Sequence, residues 1–499
     1  MSGAWERLEP KLRELQDLVA AISLMSWDQA VMMPPGGSAA RARANATLEA
    51  IAHDRLTDPA LGDLLGELAD DGDLDHDQKA SVRILKRDYE KATKVPEELV
   101  RAIAEQQGIA YQAWTEARPA NDFSILEPHL TRIIALKREQ ADALGWENER
   151  YDALLDEFEP EMTAADVVKL FDELRAGLEP IIDKVLGAAE DPPDWLFKKY
   201  DTDKQLTFCK WLVEQLGFEN QQGRVDLSPH PFTMTVGAGD VRQTTRTEAD
   251  ALLSSVYAAI HETGHALYEQ GIPAKLLDWP VGRAPSLGMH ESQSRMWENQ
   301  VGRSEAYTAF LLPHLKEHFP DELGMMSPAE FHRGVNHPRR TLIRVTADEL
   351  TYNLHVAMRF ELELALFRDE LAVADLPGAW DEASQKTIGI KSETVADGVL
   401  QDMHWSMGAL GYFPTYSLGT IYAAAFYDKA NEELGDMSED FRRGDTSRLL
   451  GWLRTNIHEK AYRYPAKELA ERVTGGPLTA RPLLDYLENK YSKLYDVTI

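Results

Sequence analysis

The spacing of apolar residues constrains the fold of this chain more than any other feature. In residues 4–24 the apolar side chains recur every three or four positions, which places them on one face of a helix. Strand-like alternation is limited to a candidate around residues 232–236, followed by a turn at residues 237–240. The same helical spacing predicts further helices over residues 80–117, 126–145, 164–188, 204–217, 248–270, 341–371 and 482–494. The chain is therefore expected to be mainly α-helical with at most a small β element.

The length and punctuation of the chain favour one large unit. Its 499 residues can bury a large core. Proline and glycine separate the predicted helices, for example at residues 34–37 and 475–477, but form no long flexible linker. The sequence shows no internal repeat. We therefore expect a single domain over residues 1–499.

Charge and composition exclude several classes of function. The formal net charge of −30 argues against nucleic-acid binding and against docking on anionic membranes. No apolar run is long enough to span a membrane, and the first residues lack the pattern of a secretory signal, so a cytoplasmic location is expected. The single cysteine, Cys209, is expected to be buried in a helix. Any metal site must therefore use histidines and carboxylates.

The strongest chemical signal is the sequence HETGH at residues 261–265, inside a predicted helix. Side chains four positions apart lie about 40° apart around a helix axis, so His261 and His265 can bind one metal ion. Glu262 is offset from both and can reach a water at the metal without binding the metal itself. Zinc lowers the pKa of such a water, and a neighbouring carboxylate accepts its proton. Taken alone, the motif also fits an ordinary helix with two surface histidines and a glutamate.

A catalytic zinc ion needs a third protein ligand and an open position. Glu269 lies roughly 12 Å along the helix axis from His261 and cannot reach the same ion. The sequence HESQ at residues 290–293 supplies the next candidates, in a helix expected to begin nearby. We assign the third ligand to Glu291, because His290 points about 100° away and Glu298 lies two turns further along. Taken alone, Glu291 also fits a solvated helix carboxylate.

Further short segments stand in a fixed order on either side of the HETGH helix. SWDQ at residues 26–29, HPF at 230–232 and DVRQT at 240–244 precede it. HESQ, IRVTAD at residues 343–348, GVLQDMHW at 398–405 and GYFPTY at 411–416 follow it. In this order the segments resemble the carboxypeptidase Taq family of zinc metallocarboxypeptidases. No departure falls on a candidate zinc ligand or on the candidate base.

The resemblance implies a large, mainly helical, saddle-shaped metallopeptidase with a deep active-site groove. The N-terminal helical part, roughly residues 1–200, would form one wall or lid of that groove. The resemblance also implies a homodimer that removes single residues from peptide C-termini, with broad specificity that stops at proline. One zinc ion per subunit is expected, and cobalt could replace it in the same ligand set.

The resemblance also suggests roles for individual residues around the metal. His261, His265 and Glu291 would hold zinc, and Glu262 would act as general base. The oxyanion of the tetrahedral intermediate needs hydrogen-bond donors. The candidate donors are His404, Tyr412 and Tyr416, with core packing as the alternative for each tyrosine.

Recognition of the substrate's terminal carboxylate is assigned to an arginine, whose planar fork matches a carboxylate. Arg344 is the first choice and Arg242 the second. His230 is a candidate for the substrate end of the groove, and a local turn contact beside Pro231 is the alternative. Asp240, Asp348 and Asp402 are expected to orient these arginines or the zinc-binding histidines.

Three other functions share part of this pattern. A helical oligopeptidase or dipeptidyl carboxypeptidase would have the same metal chemistry and a differently closed groove. A peptide-binding scaffold could retain zinc without turnover, but it would have no need of Glu262. An aminopeptidase would need an acidic pocket for the substrate amine, which the arginine in the segment around residue 344 disfavours.

Overall fold

The N-terminal part of the chain is helical, as the apolar spacing predicts. The computed structural model describes residues 3–499. Its first helices are α1 Ala4–Val31, α2 Ser38–Leu56, α3 Pro59–Ala69, α4 His76–Lys94, α5 Glu97–Ala120, α6 Glu127–Leu144, α7 Arg150–Leu155, α8 Ala164–Ala188 and α9 Thr202–Gln215. Cys209 is fully buried on α9, which confirms the expectation for that residue.

A three-stranded sheet separates these helices from the rest of the chain. It consists of β1 Gly223–Leu227, β2 Thr233–Gly237 and β3 Asp240–Thr245. β3 is the central strand, parallel to β1 and antiparallel to β2. The candidate strand and its turn are thus confirmed as β2 and the β2–β3 connection. Strands β1 and β3 were not predicted from the sequence.

The C-terminal part is again helical and carries most of the candidate site residues. Its helices are α10 Leu252–Gly271, α11 Leu287–Arg295, α12 Glu305–His318, α13 Pro320–Leu323, α14 Pro328–Val335, α15 Tyr352–Phe367, α16 Leu376–Thr387, α17 Pro414–Leu434, α18 Ser438–Arg442, α19 Ser447–Asn456, α20 Ala466–Thr474 and α21 Arg481–Tyr495. A π-helix, Met296–Gly302, continues α11 without a break. No helix within residues 3–499 is both long and apolar enough to cross a membrane.

Two helix predictions were wrong in detail. The pattern over residues 80–117 belongs to two helices, because Val95 is extended and Pro96 follows it. Proline has no backbone N–H to donate and disfavours a helical conformation in the residue before it. The helix predicted over residues 341–371 begins only at Tyr352 and ends at Phe367, because residues 341–351 form a loop with one 3-10 turn.

Helix α10 lies at the centre of the packing that builds the site. It contacts α9, α11, β2 and β3, while α11 packs along α17. The largest hydrophobic cluster draws on residues between Ala110 and Tyr495, and a smaller one on residues between Leu8 and Leu85. The single domain over residues 1–499 and the wall formed by residues 1–200 stay predictions.

Candidate metal centre

Three side chains of the ligand type converge between α10 and α11. The ligand atoms of His261, His265 and Glu291 all lie within 4.8 Å of one another. Glu291 Oε2 is 3.5 Å from Nε2 of His261 and 3.3 Å from Nε2 of His265. Glu269 is not part of this group, as the helix geometry predicts, and its Oε1 lies 2.8 Å from Nε2 of His290. The three residues chosen from the sequence are therefore the ones that the fold brings together.

Two glycines allow the helices to approach closely enough for this convergence. A Cβ atom on Gly264, in α10, would lie 2.6 Å from Cα of Ser294 and 2.7 Å from the carbonyl oxygen of Gln293. A Cβ atom on Gly419, in α17, would lie 2.5 Å from Cγ of Glu291. Since α11 is held between these two contacts, its distance from α10 depends on both glycines lacking a side chain.

Replacing Gly264 with Ala is therefore expected to push α11 away from α10. Overpacking of this kind typically costs about 1–3 kcal/mol. We expect a lower free energy of unfolding in urea and a weaker affinity for metal in competition with a chelator. Gly451→Ala is the matched control, because Gly451 lies within α19 and its added Cβ would meet nothing within 4 Å. That change should stabilise the protein by about 0.5–1 kcal/mol, and an equal effect of both substitutions would contradict the packing argument.

His261 is oriented by the carboxylate of Glu298, a contact that was not predicted from the sequence. Its Nδ1 lies 3.0 Å from Oε2 of Glu298. Its Nε2 is therefore left for the metal point, the place where the ligand atoms of His261, His265 and Glu291 converge. Burial alone would lower the pKa of His261, but the carboxylates of Glu291 and Glu298 outweigh it and raise that pKa to about 10. A carboxylate on the far nitrogen fixes the tautomer and orientation of a metal-binding histidine.

His265 is oriented by a chain of hydrogen bonds from the opposite side. Its Nδ1 contacts Nδ1 of His290, and Nε2 of His290 lies 2.8 Å from Oε1 of Glu269. Thr235, on β2, donates its hydroxyl to the other oxygen of Glu269 at 2.7 Å. Burial and the neighbouring His290 lower the pKa of His265 to about 4, so this imidazole is neutral at neutral pH, as a metal ligand must be.

Glu291 is held as an anion. Arg295 Nε donates to Oε1 at 2.7 Å, and the hydroxyl of Ser294 donates to Oε2 at 3.0 Å. Burial opposes ionisation, but the charges of Arg295 and His261 hold the pKa of Glu291 well below its usual range. Arg295 also stacks on the ring of Tyr352, with its guanidinium carbon 4.3 Å from the ring centroid. The carboxylate therefore presents Oε2 to the metal point in a fixed orientation.

Glu262 lies beside the metal point with one oxygen held by the sheet. Its side chain is 7% exposed, and Thr233, on β2, donates to Oε2 at 2.7 Å and to the main-chain carbonyl of Glu262 at 3.0 Å. The second carboxylate oxygen has no protein partner in the described residues. Burial raises the pKa of Glu262. A free carboxylate oxygen with a raised pKa therefore lies beside His261 and Glu291.

His404 and the two tyrosines lie together near the N-terminal end of α17. Nε2 of His404 is 3.4 Å from the hydroxyl of Tyr416, and the ring centroids of His404 and Tyr412 are 5.5 Å apart. Burial and Arg344 lower the pKa of His404 to about 4, so the ring is neutral at neutral pH. Tyr416 precedes Gly419 by one helical turn, which places this group next to Glu291.

Arg344 belongs to a buried cluster with an excess of positive charge. Nε and Nη2 of Arg344 donate to Oδ1 of Asp402 at 3.1 and 2.9 Å. Arg359, which is fully buried, donates to Oδ2 of the same aspartate at 2.7 Å. One carboxylate thus serves two guanidinium groups. Arg344 also lies over the ring of Tyr416, with its guanidinium carbon 5.0 Å from the centroid.

Arg242 has a more balanced environment. Nε and Nη2 form a two-point pair with Asp240 at 2.9 and 2.7 Å, so the charge is matched by one carboxylate. The guanidinium carbon lies 4.3 Å from the ring centroid of Trp27, on α1. His230 is exposed, and its main-chain carbonyl accepts a hydrogen bond from the hydroxyl of Ser228. Arg242 therefore connects the N-terminal helices to the sheet.

The expectation for the three aspartates was right for two of them. Asp240 orients Arg242 and Asp402 orients Arg344, but Asp348 contacts neither a site arginine nor a metal-site histidine. Its carboxylate instead accepts hydrogen bonds from the main-chain N–H groups of Leu350 and Thr351, just before α15. These hydrogen bonds stabilise the loop at residues 341–351, where a helix was predicted.

Comparison with known proteins agrees with this geometry. The model of the carboxypeptidase Taq (M32) metallopeptidase family matches residues 7–491. The chain belongs to this family. It is 42% identical over 506 residues to thermostable carboxypeptidase 1 of Thermus thermophilus, covering 99% of each chain. It is 35% identical to carboxypeptidase 1 of Bacillus subtilis, covering 97% of each.

Solved structures of family members share the whole fold. The M32 carboxypeptidase of Deinococcus radiodurans superimposes with a TM-score of 0.97 at 41% identity, covering 99% of this chain and 100% of that one. A carboxypeptidase structure from Pyrococcus furiosus gives a TM-score of 0.96 at 34% identity, with 98% and 99% covered. The resemblance and the mainly helical fold are thus confirmed, and the protein is a metallocarboxypeptidase that acts on peptides.

Proposed function

We propose that this metallocarboxypeptidase uses zinc and a glutamate base to release single C-terminal residues, with broad specificity that stops at proline. One observation carries the proposal of single-residue release. Arg344, with its excess positive charge, lies against Tyr416, one helical turn from the glycine that contacts Glu291. When the terminal carboxylate of a peptide binds Arg344, the C-terminal end of that peptide therefore lies close to the metal point.

The three ligands fit zinc in both chemistry and spacing. Two imidazoles and one carboxylate are a ligand set of catalytic zinc sites, and tetrahedral bonds of about 2.0–2.1 Å place ligand atoms about 3.3 Å apart. The separations of Glu291 Oε2 from the two Nε2 atoms, 3.5 and 3.3 Å, are close to that value. When bound, zinc lowers the pKa of a water ligand and polarises the substrate carbonyl, and cobalt can replace it.

Metal analysis of the purified protein tests this assignment. One zinc ion per chain is expected after dialysis against metal-free buffer. Removal by a chelator should abolish peptidase activity, and zinc or cobalt should restore it. Restoration by magnesium alone would contradict the ligand chemistry, because magnesium prefers oxygen ligands.

Glu262 is the proposed general base. Because Thr233 holds Oε2, the free Oε1 is available to accept a proton from the attacking water. The pKa raised by burial lets the protonated form pass that proton to the leaving amine. Thr233 thereby restricts the carboxylate to one rotamer during both transfers.

His404 and a tyrosine are the proposed donors to the oxyanion of the tetrahedral intermediate. A neutral imidazole and a phenol can both donate a hydrogen bond, and donors fixed in advance act without reorganisation during the reaction. The separation of 3.4 Å between Nε2 of His404 and the hydroxyl of Tyr416 supports these two as a pair. Tyr412 packs beside both rings and is the alternative tyrosine.

Peptides with blocked N-termini distinguish this function from its alternatives. An N-blocked tripeptide should lose its C-terminal residue first and then the next one, whereas the same peptide with a C-terminal amide should resist cleavage. A peptide ending in proline should remain intact. Release of a dipeptide would indicate a dipeptidyl carboxypeptidase. A requirement for a free N-terminal amine would indicate an aminopeptidase.

We also propose a homodimer and a cytoplasmic location, on the basis of the family resemblance and of the sequence composition. Light scattering after size exclusion should give twice the 56.1 kDa mass of the chain. Fractionation of the native cells should recover the protein with cytoplasmic markers. A monomer at micromolar concentration, or recovery outside the cytoplasm, would contradict these two statements.

A further inference from the structure

We propose that Glu363 is a positioning residue for catalysis, because its carboxylate holds the loop that carries His404 and Tyr412 at two points, Trp405 and Gly411. The inference rests on the proposed role of these two residues at the oxyanion. Glu363 lies on α15 and is 0% exposed. Residues 402–413, which connect the arginine cluster to α17, contain no regular helix or strand in the described structure.

The contacts of Glu363 bracket the loop. Oε1 accepts a hydrogen bond from the indole N–H of Trp405 at 2.7 Å, and Trp405 follows His404 directly. Oε2 accepts one from the main-chain N–H of Gly411 at 3.0 Å, and Gly411 directly precedes Tyr412. The hydroxyl of Tyr151, on α7, donates to Oε2 at 2.6 Å. One carboxylate therefore connects the N-terminal helices to both residues next to the proposed donors.

Both contact points on the loop are tightly packed. Gly411 has a positive φ of 90°, and a Cβ atom there would lie 2.8 Å from the main-chain carbon of Leu154. The ring of Trp405 packs edge-on against Trp380 at a centroid separation of 5.8 Å. Because the carboxylate holds the chain at Trp405 and at Gly411, it fixes the distance between the neighbouring residues His404 and Tyr412.

Stability alone gives a poor account of a carboxylate at this position. No lysine or arginine of the described residues lies within salt-bridge distance of Glu363. Burial raises the pKa of Glu363 to about 7, although the hydrogen bonds that it accepts and the charge of Arg359 act in the opposite direction. Burying a carboxylate without a paired cation is costly, and apolar residues of similar volume often replace buried charged groups without loss. A carboxylate, however, accepts hydrogen bonds on both oxygens, and the three groups around Glu363 are all donors. A carboxylate is therefore suited to holding this irregular loop in one conformation.

The test compares Glu363→Gln with Tyr151→Phe in the zinc-loaded enzyme. Gln retains one acceptor oxygen but turns an NH₂ donor towards a donor, so at least one loop contact is lost. Because displacements of about 1 Å can cost up to 100-fold in rate, we expect kcat to fall about 10- to 100-fold, with KM and zinc content nearly unchanged. Tyr151→Phe removes the third donor and leaves both loop contacts, so its kcat should stay within about twofold of wild type.

A second variant tests the same contact in case Glu363→Gln has a folding defect. Trp405→Phe removes the indole donor and should lower kcat in the same way. Combined with Glu363→Gln, its effect should be less than additive, because both substitutions disrupt the same hydrogen-bond network around Glu363. Unchanged kcat in both single variants, or equal losses in Tyr151→Phe and Glu363→Gln that follow their melting temperatures, would overturn the proposal.

Hydrogen exchange separates this inference from the proposed function itself. The main-chain amides between Trp405 and Gly411 should on average exchange faster in Glu363→Gln than in Tyr151→Phe, because Gln can lose either loop contact, and this holds whether or not the enzyme cleaves the chosen peptide. A wild-type protein that retains zinc but cleaves no blocked peptide would refute the proposed function. An active wild type in which Glu363→Gln alters neither kcat nor the exchange of the amides between Trp405 and Gly411 would refute only the role of Glu363.

Discussion

Replacing Glu262 with Gln is expected to lower kcat for blocked peptides by about 10²- to 10⁴-fold, the usual contribution of a general base. The substitution preserves the shape of the side chain and its contact with Thr233, but removes the proton acceptor. Zinc should remain bound with its normal stoichiometry, because none of the three ligand side chains changes. The loss should therefore appear in kcat, measured alongside zinc content on the same preparation.

Two variants control this experiment. Glu317→Gln makes the same chemical change on the exposed face of α12 and should leave kcat unchanged. Thr233→Val retains the base but frees its carboxylate from the β2 hydroxyl, so we expect a smaller loss of about tenfold. If Glu262→Gln retains wild-type activity, the proton is accepted elsewhere and the proposed mechanism is wrong.

The sequence predicts the three candidate ligands because their convergence is local. His261 and His265 are separated by one turn of one helix, so standard helix geometry places them together. The same geometry excludes Glu269, which the structure places in contact with His290. The prediction of Glu291 as the third ligand required only the assumption that the next helix packs on α10. Gly264, inside the HETGH motif, is the visible signal for that close packing.

The contacts around the ligands could not be predicted in this way, because each joins separate elements. Thr233 reaches Glu262 only because β2 packs against α10, and Glu298 reaches His261 only through the packing of the π-helix. One signal was present in the sequence: Glu298 stands seven residues after Glu291, which returns it to nearly the same helix face. That spacing excluded Glu298 as a ligand, but the contact of Glu298 with the far nitrogen of a ligand histidine was not predicted.

The loop at residues 341–351 shows where apolar spacing misleads. Its apolar residues continue the period of α15, so the pattern extends the helix by more than two turns. The side chain of Asp348 binds the main-chain N–H groups of Leu350 and Thr351, which would otherwise bond within such a helix, as aspartate often does. The consequence is functional, because the loop, and not a helix, brings Arg344 to Asp402.

Replacing Arg344 with Met is expected to lower kcat/KM for peptides with a free C-terminal carboxylate by about 30- to 5,000-fold. This range corresponds to about 2–5 kcal/mol for losing one partner of a buried, hydrogen-bonded charge pair. Asp402 keeps Arg359 as a partner in this variant, so the buried carboxylate is not left without a cation. Cleavage of free-acid peptides should approach the low rate expected for C-terminal amides, and the melting temperature should change little by comparison.

Arg242→Met is the matched comparison, because both arginines carry a carboxylate partner and stack on an aromatic ring. The charge around them differs. Asp240 matches Arg242 one to one, while Asp402 is shared by Arg344 and Arg359 and leaves one positive charge in the cluster. A substrate carboxylate gains most where the positive charge is in excess, so the acid-to-amide preference should depend on Arg344 and persist in Arg242→Met. If the preference is lost only in Arg242→Met, the peptide C-terminus binds beside β3, and Arg344 serves the loop that carries His404.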